Sequence, residues 1–425
     1  MSRLNQELGL LQGIGLLSTS LLGTGIFVVP ALAATVAGQA SLWAWLILIL
    51  LVLPVAFTFA QLGRHFPHAG GAPHLIGRAF GPRMERLSAW LFLAVLPVGL
   101  PAALQIATGF WQALFELGSG QSLTIQLATL GAILLLGQRP AKASGVIQGA
   151  IALAIVLTIG VIWWAGDLPH ASQPLLPAMR GSWNLLPAAL GVMFWCFVGI
   201  EAFTHMGEEF KRPERDFPLA LLLGVLLAGL VYWACSVAVL SFQTYGDPRS
   251  DASSLPQLLD LLLGERARWL AAIVGYLACF ASMNVYIQGF ARLLWSLADE
   301  GKLPGALARR NRHGVPGPAL LLVVLSCALC ATLAWSQALS VDQLIRYANG
   351  NFVLIYLLSM AAGWVLLKGL WRWLAGLSAA LCGLVLIMLG SDGWYALGLL
   401  AALALLDQWQ VLRARKALRP TLPLR

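Results

Sequence analysis

Glu201 is the single carboxylate that the sequence predicts to lie well inside a membrane-spanning segment; the other seventeen Asp and Glu residues fall in loops or near the ends of apolar segments. A carboxyl group within hydrocarbon is costly to keep charged and is therefore a candidate for function by default. Such a group suits the uptake and release of a proton, and His205, one helical turn further on, is close enough to relay it. The structural alternatives are a carboxyl bonded to freed backbone amides and an interfacial histidine.

A second candidate is the segment Gly23–Thr24–Gly25, midway along the first apolar stretch. Two glycines around a hydroxyl residue weaken a helix and expose backbone N–H groups. Unwinding at membrane depth is tolerated only where the backbone is buried or lines a cavity, and the freed amides can bind a carboxylate without a positive side chain. Val198 and Gly199 interrupt the sixth stretch in the same way. Paired interruptions at matching positions predict a substrate site, although small residues also serve close helix packing.

These residues must be positioned by membrane helices. Hydrophobic residues make up 59% of the 425-residue chain and charged residues only 11%, whereas soluble domains have roughly 45–50% and about 25%. Apolar stretches of the length needed to cross a bilayer, roughly 20 residues, recur from end to end. We predict one all-α membrane domain over residues 1–425. Its twelve predicted spans are 10–36, 41–62, 87–115, 122–137, 145–166, 184–208, 217–242, 269–296, 317–336, 341–367, 371–390 and 393–411.

The distribution of basic residues predicts the orientation of these spans. With the N-terminus inside, 22 of the 27 Lys and Arg residues fall in the inner loops and tails and five fall outside. Short loops with such an excess lie on the cytoplasmic side, so both termini are predicted to be cytoplasmic. The net charge of +9 is explained by this topology and does not indicate nucleic-acid binding.

Several other kinds of chemistry are disfavoured. All six cysteines lie in apolar segments, including the Cys327–Cys330 pair, which has no histidine nearby. Neither disulfides nor a metal site is predicted, and no cofactor is expected. A membrane-embedded enzyme would need paired intramembrane carboxylates, a Ser–Lys dyad or a histidine cluster, and the sequence predicts none. A channel is a further alternative, which would show neither saturation nor counterflow.

The motifs as a group resemble the amino acid–polyamine–organocation superfamily and, within it, the bacterial amino acid efflux family. They are G-[ST]-G-I-F at Gly23–Phe27, W-x-F-x-G-x-E at Trp195–Glu201, E-x-x-x-P-x-R-x-x-P at Glu209–Pro218, and the stretches Phe66–Gly71 and Ala298–Pro304.

The resemblance implies a LeuT-like fold of five plus five inverted repeats, at about 10–166 and 184–367, with two extra helices at about 371–411. It also implies proton-driven efflux of methionine, leucine, isoleucine and valine across the bacterial inner membrane. An importer or an amino acid exchanger of the same fold is the alternative. The oligomeric state is left open.

The resemblance also implies roles for individual residues. Gly23, Thr24 and Gly25 match the segment that holds the substrate carboxylate, and Trp195 matches an aromatic that covers the substrate. Glu201 matches a carboxylate tied to the pH response. Tyr286 lies where another substrate-facing aromatic is found.

The near-absence of charge around these positions favours an apolar amino acid over a cationic one. Ile26, Trp195 and Phe203 are predicted to contact its side chain. Carbonyl groups freed between Phe197 and Gly199 are predicted to bind its ammonium group.

Overall fold

The computed structural model describes residues 4–112, 114–115, 117–170, 183–246 and 248–417. Within these residues the chain is helical and forms no strands; one isolated bridge joins Leu8 to Phe210. The α-helices of this part are α1 (Leu10–Leu22), α2 (Val29–Ala37), α3 (Ala40–His65), α4 (Gly71–Phe80), α5 (Pro82–Leu93), α6 (Leu96–Gln112), α7 (Ser119–Gly137), α8 (Ala141–Ala165), α9 (Leu186–Met193), α10 (Ile200–Thr204), α11 (Asp216–Phe242), α12 (Pro248–Leu263), α13 (Ala267–Asp299), α14 (Gly317–Ser336), α15 (Val341–Leu366), α16 (Leu370–Met388) and α17 (Ser391–Ala417).

Ten helical segments of the described chain are long and apolar enough to cross a membrane, which confirms a multi-pass membrane protein. The predicted first span is not among them because it is broken. It consists of α1, with 13 residues, and α2, with 9, and neither alone reaches across about 30 Å of hydrocarbon. The predicted twelfth span corresponds to α17. The total of twelve therefore stays a prediction. Helices α4 and α12 lie between predicted spans, in stretches that are too polar for the sequence to predict a membrane helix.

Helix α1 lies at the centre of the bundle, packed against α8, α11 and α13. The contact with α8 is close because glycines face it. A methyl group on Gly15 would lie 2.6 Å from the Cα atom of Gly149, and one on Gly145 would lie 2.7 Å from Cβ of Gln12. The two backbones therefore meet without intervening side chains, as is typical of helix pairs in membranes.

The face of the molecule at which α1 begins, here called the N-terminal face, is closed by the segment before α1. The backbone N–H groups of Glu7 and Leu8 both donate to the Glu209 carbonyl, each at 2.9 Å. The Glu209 side chain forms a buried ion pair with Arg292 of α13, and Gln288 also accepts from that guanidinium. These bonds tie the start of the chain to the segment after α10 and to α13.

Candidate functional site

The break in the first span covers residues 23–28, between α1 and α2. In the described part of the chain the backbone N–H groups of Thr24 and Gly25 have no backbone partner. Carbonyls that they would bond in an intact helix accept from side chains instead: Ser282 donates to Ser20 at 3.0 Å and Tyr232 donates to Leu21 at 2.8 Å. The break, which the glycine pair predicts, is thus held open by α11 and α13.

Gly25 is enclosed at this break. A methyl group at this position would lie 2.3 Å from the Tyr232 hydroxyl and 3.1 Å from Sγ of Cys196. The absence of a side chain lets the backbone approach these neighbours, which explains the glycine.

The sixth span is broken between a 3-10 turn, Phe194–Phe197, and α10. Val198 is extended, and Gly199 has φ 137°, a conformation that side chains disfavour. A methyl group on Gly199 would also meet Oγ of Ser20 at 2.6 Å. The breaks in the two spans therefore adjoin. Tyr356 of α15 donates to the Phe197 carbonyl at 2.9 Å, whereas the Val198 carbonyl accepts no backbone hydrogen bond within the described residues.

Glu201 lies in the first turn of α10 and is fully buried. Its Oε2 accepts from the backbone N–H of Gly199 at 2.9 Å, and its Oε1 accepts from the Tyr286 hydroxyl at 2.8 Å. The carboxyl group therefore caps the short helix that follows the break, and it has a phenol as its second partner. This geometry is compatible both with a structural role of Glu201, as the cap of α10, and with the uptake and release of a proton.

Two cavities adjoin the breaks. A small one of about 30 Å³, room for roughly one water molecule, lies between α1, α6, α13 and α15. Its polar lining residues are Ser20, Thr24, Ser282 and Tyr286, and its apolar lining residues are Leu21, Val95, Gly99, Leu100, Ala103, Trp195, Val198, Met283, Phe290 and Phe352.

The second cavity, of about 480 Å³, lies on the α2 side of the break and is lined mainly by apolar residues of α2, α3, α9 and α16. Thr24 and Trp195 line both cavities. The indole Nε1 of Trp195 donates to Oγ1 of Thr24 at 3.1 Å, and its ring lies edge-on to Phe352 at 6.2 Å. Trp195, Thr24 and Phe352 thus form the partition between the two spaces.

The structure brings several predicted residues together and separates others from them. Gly23, Thr24, Gly25, Trp195 and Gly199 lie at the adjoining breaks, and Tyr286 lines the small cavity.

Two predicted contacts of the substrate side chain lie elsewhere. Ile26 is fully buried and lines neither cavity. Phe203 stacks on Phe217 at 5.2 Å, on the far side of α10. The carbonyl of Phe197, predicted to bind the ammonium group, already accepts from Tyr356.

His205 is one turn from Glu201 but is not hydrogen-bonded to it. Its Nδ1 lies 2.9 Å from the Ala69 carbonyl, and its ring stacks on Phe92 at 5.0 Å. Since Nδ1 must donate to a carbonyl, Nε2 carries the lone pair, and that atom is buried without a partner among the described residues. The predicted relay to Glu201 has no direct contact in this conformation.

Several site residues were not found from the sequence. Ser282 and Tyr232 hold the first break open, and Tyr356 and Phe352 of α15 bound the second break and the partition. Isolated hydroxyl and aromatic residues in apolar helices carry no local signal, because their role depends on which helices pack together.

A cluster of ionisable side chains lies on the N-terminal face. The rings of His68 and His74 stack at 3.7 Å, and ligand atoms of both lie within 4.8 Å of a Glu300 oxygen. Burial, with His74 nearby, lowers the pKa of His68 to about 4, so the ring is neutral. However, His68 Nδ1 accepts from Gly70 N–H, which leaves the proton on Nε2, and the Lys302 ammonium already pairs with Glu300. The trio is therefore not a ready metal site.

Two helices broken at adjoining points, around cavities inside an apolar helical bundle, define the class of secondary transporters. The chain matches the amino acid permease family over residues 8–402 and belongs to that family. This confirms the resemblance noted from the motifs.

Three relatives illustrate the family. The chain is 54% identical to the L-methionine/branched-chain amino acid exporter YjeH of Escherichia coli (strain K12), with 98% of each protein covered. It is 25% identical to the branched-chain amino acid permease BcaP of Bacillus subtilis (strain 168), over 84% of this chain and 80% of the relative. It is also 25% identical to the cadaverine/lysine antiporter of E. coli (strain K12), over 83% and 81%. These are transporters, which confirms the prediction that the chain is not an enzyme.

Proposed function

We propose that this protein exports methionine, leucine, isoleucine and valine across the bacterial inner membrane by proton antiport, through alternating access. The observation that carries the substrate class and direction is 54% identity over 98% of the chain to an exporter of methionine and branched-chain amino acids. Apolar cavity walls, with few charged groups at the breaks, support the same substrates.

The proposed topology has twelve spans with both termini in the cytoplasm. Spans 1–5 and 6–10 are inverted repeats, at about 10–166 and 184–367, and the helices at about 371–411 are additions. The breaks support this arrangement because they fall in the first span of each proposed repeat. In this topology the N-terminal face is cytoplasmic, and the larger cavity lies in the outer half of the membrane.

The substrate carboxylate is proposed to bind the N–H groups of Thr24 and Gly25. In the described chain these amides lack backbone partners, and they lie just before the N-terminus of α2, the end of a half-helix at which the helix dipole favours an anion. The Thr24 hydroxyl accepts from Trp195, so its own proton is free to point at a carboxylate oxygen. No positive side chain is needed for this binding.

The ammonium group is proposed to bind the carbonyl of Val198, a residue that lines the small cavity; this carbonyl has no backbone donor in the described chain. Opening the Trp195–Phe352 partition would let the apolar side chain lie between α6 and α15. A cavity of about 30 Å³ is far too small for methionine, so this conformation is closed around the site, and binding must enlarge it.

Glu201 is proposed to carry the proton, with Tyr286 as the link to the substrate. The Tyr286 hydroxyl bonds Glu201, while the same residue lines the small cavity. A charged Glu201 requires that hydroxyl as donor, whereas a protonated Glu201 can release it. Proton binding and cavity shape would thus change together.

Counterflow in proteoliposomes tests the function directly. Vesicles preloaded with unlabelled methionine should accumulate labelled methionine and leucine, and external arginine should not compete. Failure of methionine and leucine to exchange, or competition by arginine, would refute the proposed substrates. An imposed pH gradient across vesicles of inverted orientation then separates export from import.

A further inference from the structure

Gln148 of α8 joins three helices through its two amide ends. Its Oε1 accepts a hydrogen bond from Oγ1 of Thr19 on α1, and its Nε2 donates to the Ala281 carbonyl on α13 at 3.1 Å. The residue is only 1% exposed. Both ends of a buried amide are therefore used, each by a different neighbouring helix.

The bridge lies at the last turn of α1 before the break. The Thr19 carbonyl accepts from the N–H of Gly23, the final helical bond before Thr24 and Gly25, whose amides have no backbone partner among the described residues. From α13, Ser282 bonds the Ser20 carbonyl, and the Cys279 thiol lies 3.6 Å from the Gly23 carbonyl. Gln148 adds α8 to this set, so that the end of α1 is fixed from two sides.

Glycine packing alone does not fix the position of the end of α1. The contact of Gly15 with Gly149 brings α1 and α8 together over smooth backbone surfaces, which can slide or rotate with little loss of packing. A side chain with a donor at one end and an acceptor at the other fixes the register of both neighbours.

We infer that Gln148 is a positioning residue, which orients the end of α1 so that the Thr24 and Gly25 amides face the substrate carboxylate. This inference rests on the proposed function for the identity of the carboxylate but not for the orientation of α1. The amide is neutral at all accessible pH, so this junction carries no proton.

Ionisable groups on the packed elements have other partners or lie further along their helices. Helix α1 has none; those nearest the bridge on the other helices are Lys142 on α8, Cys279 and Tyr286 on α13, and Tyr232 and Cys235 on α11. Tyr232, Cys235, Cys279 and Tyr286 bond Leu21, Ile26, Gly23 and Glu201, respectively.

The test uses Gln148→Met, which keeps the length of the side chain and removes both hydrogen bonds. The matched control is Gln126→Met, at a buried glutamine of α7 that lines neither cavity. Hydrogen exchange of the reconstituted proteins, without substrate, should accelerate at residues 16–22 in Gln148→Met and stay as in wild type in α3 and α14. In methionine counterflow its KM should rise about tenfold while the maximal rate changes less than about threefold.

Gln148→Glu at pH 5 provides the rescue. A protonated carboxyl donates to the Ala281 carbonyl and accepts from Thr19, so its KM should lie within about twofold of the wild-type value at that pH. The inference would be overturned if Gln148→Met had the hydrogen-exchange rates and the KM of wild type, or if its hydrogen exchange were faster throughout the chain. A KM of Gln148→Glu at pH 5 that stays well above the wild-type value would also overturn it. If wild type lacks methionine counterflow, the proposed function fails, and the exchange measurement alone decides the role of Gln148.

Discussion

The hydroxyl group of Tyr286 lies 2.8 Å from Oε1 of Glu201 and donates to it, which joins a residue of the small cavity to a carboxyl group that lines neither cavity. Glu201 also caps α10 through the N–H of Gly199. The carboxyl group thus contacts both the helix break and the cavity wall. Any change in its protonation alters a bond on each side.

Tyr286→Phe should uncouple transport from the proton gradient. The variant keeps the ring against Phe352 at the partition and removes the donor to Glu201. A hydrogen bond to a charged group contributes about 1.5–3 kcal/mol, so gradient-driven methionine transport should fall at least tenfold. Its KM in counterflow should change less than about threefold.

The control for that variant is Tyr276→Phe, on the same helix, whose hydroxyl bonds Thr129 at 2.7 Å instead. It should behave as wild type. Equal loss in both variants, or full gradient-driven transport in Tyr286→Phe, would contradict the link to Glu201.

Gly25→Ala should abolish substrate binding. The added methyl group would meet the Tyr232 hydroxyl at 2.3 Å, and that hydroxyl is held by its bond to Leu21. The break must therefore distort, and the affinity for labelled methionine in a scintillation proximity assay should fall more than tenfold. Gly131→Ala, where the methyl group has no neighbour within 4 Å, should bind normally. Retained affinity in Gly25→Ala would exclude the carboxylate site.

Gly99→Ala should narrow the range of substrates. Gly99 lines the small cavity, and its methyl group would lie 2.9 Å from Val95 and 3.7 Å from Ala348. One methylene group in a tight apolar site changes discrimination roughly tenfold, so KM should rise more for methionine and isoleucine than for the smaller valine in counterflow competition. Gly109→Ala, also on α6 but open, serves as the control. If the ratios of the KM values between substrates were the same in Gly99→Ala and wild type, the substrate side chain would not bind beside Gly99.

His68 should make the stability of the N-terminal face depend on pH. Burial, with His74 nearby, lowers the pKa of His68 to about 4, against about 6.5 in an unfolded chain. The unfolded chain therefore binds the proton more readily. The contribution of neutral His68 is complete above pH 6.5 and is lost as the pH falls toward 4.

The melting temperature should accordingly fall less between pH 7 and pH 4.5 in His68→Gln than in wild type. His65→Gln, at an exposed histidine of α3, should keep the wild-type slope. If the melting temperature of His68→Gln depended on pH as that of wild type does, the lowered pKa of His68 would be contradicted.

Much of the fold could be predicted because lipid imposes simple rules. The length of the apolar stretches predicts most spans, and glycines indicate both breaks: a pair, Gly23 and Gly25, in the first span, and in the sixth Gly199, whose φ few residues other than glycine tolerate. Adjacency to the motifs predicts that Ile26 and Phe203 contact the substrate side chain. In this conformation both side chains are buried in the core and line neither cavity, because the packing around each break decides which neighbouring side chains face it.

Other parts of the site depend on packing between distant segments. Along the chain, Gln148 lies 129 residues from Thr19 and Tyr356 lies 159 residues from Phe197, and a single polar group in an apolar helix gives no sign of its partner. His205 illustrates the converse limit. It lies four residues after Glu201, as a contact along a helix requires, but its Nδ1 donates to the Ala69 carbonyl of a loop.

Proton coupling through Glu201 is tested most directly by methionine accumulation in proteoliposomes under an imposed pH gradient. Wild type and Glu201→Gln are compared at equal protein incorporation. The amide oxygen of Gln can still accept a hydrogen bond from the Gly199 N–H, but the side chain cannot ionise. We predict that Glu201→Gln retains methionine counterflow but loses accumulation driven by the gradient. Accumulation at the wild-type rate would contradict it.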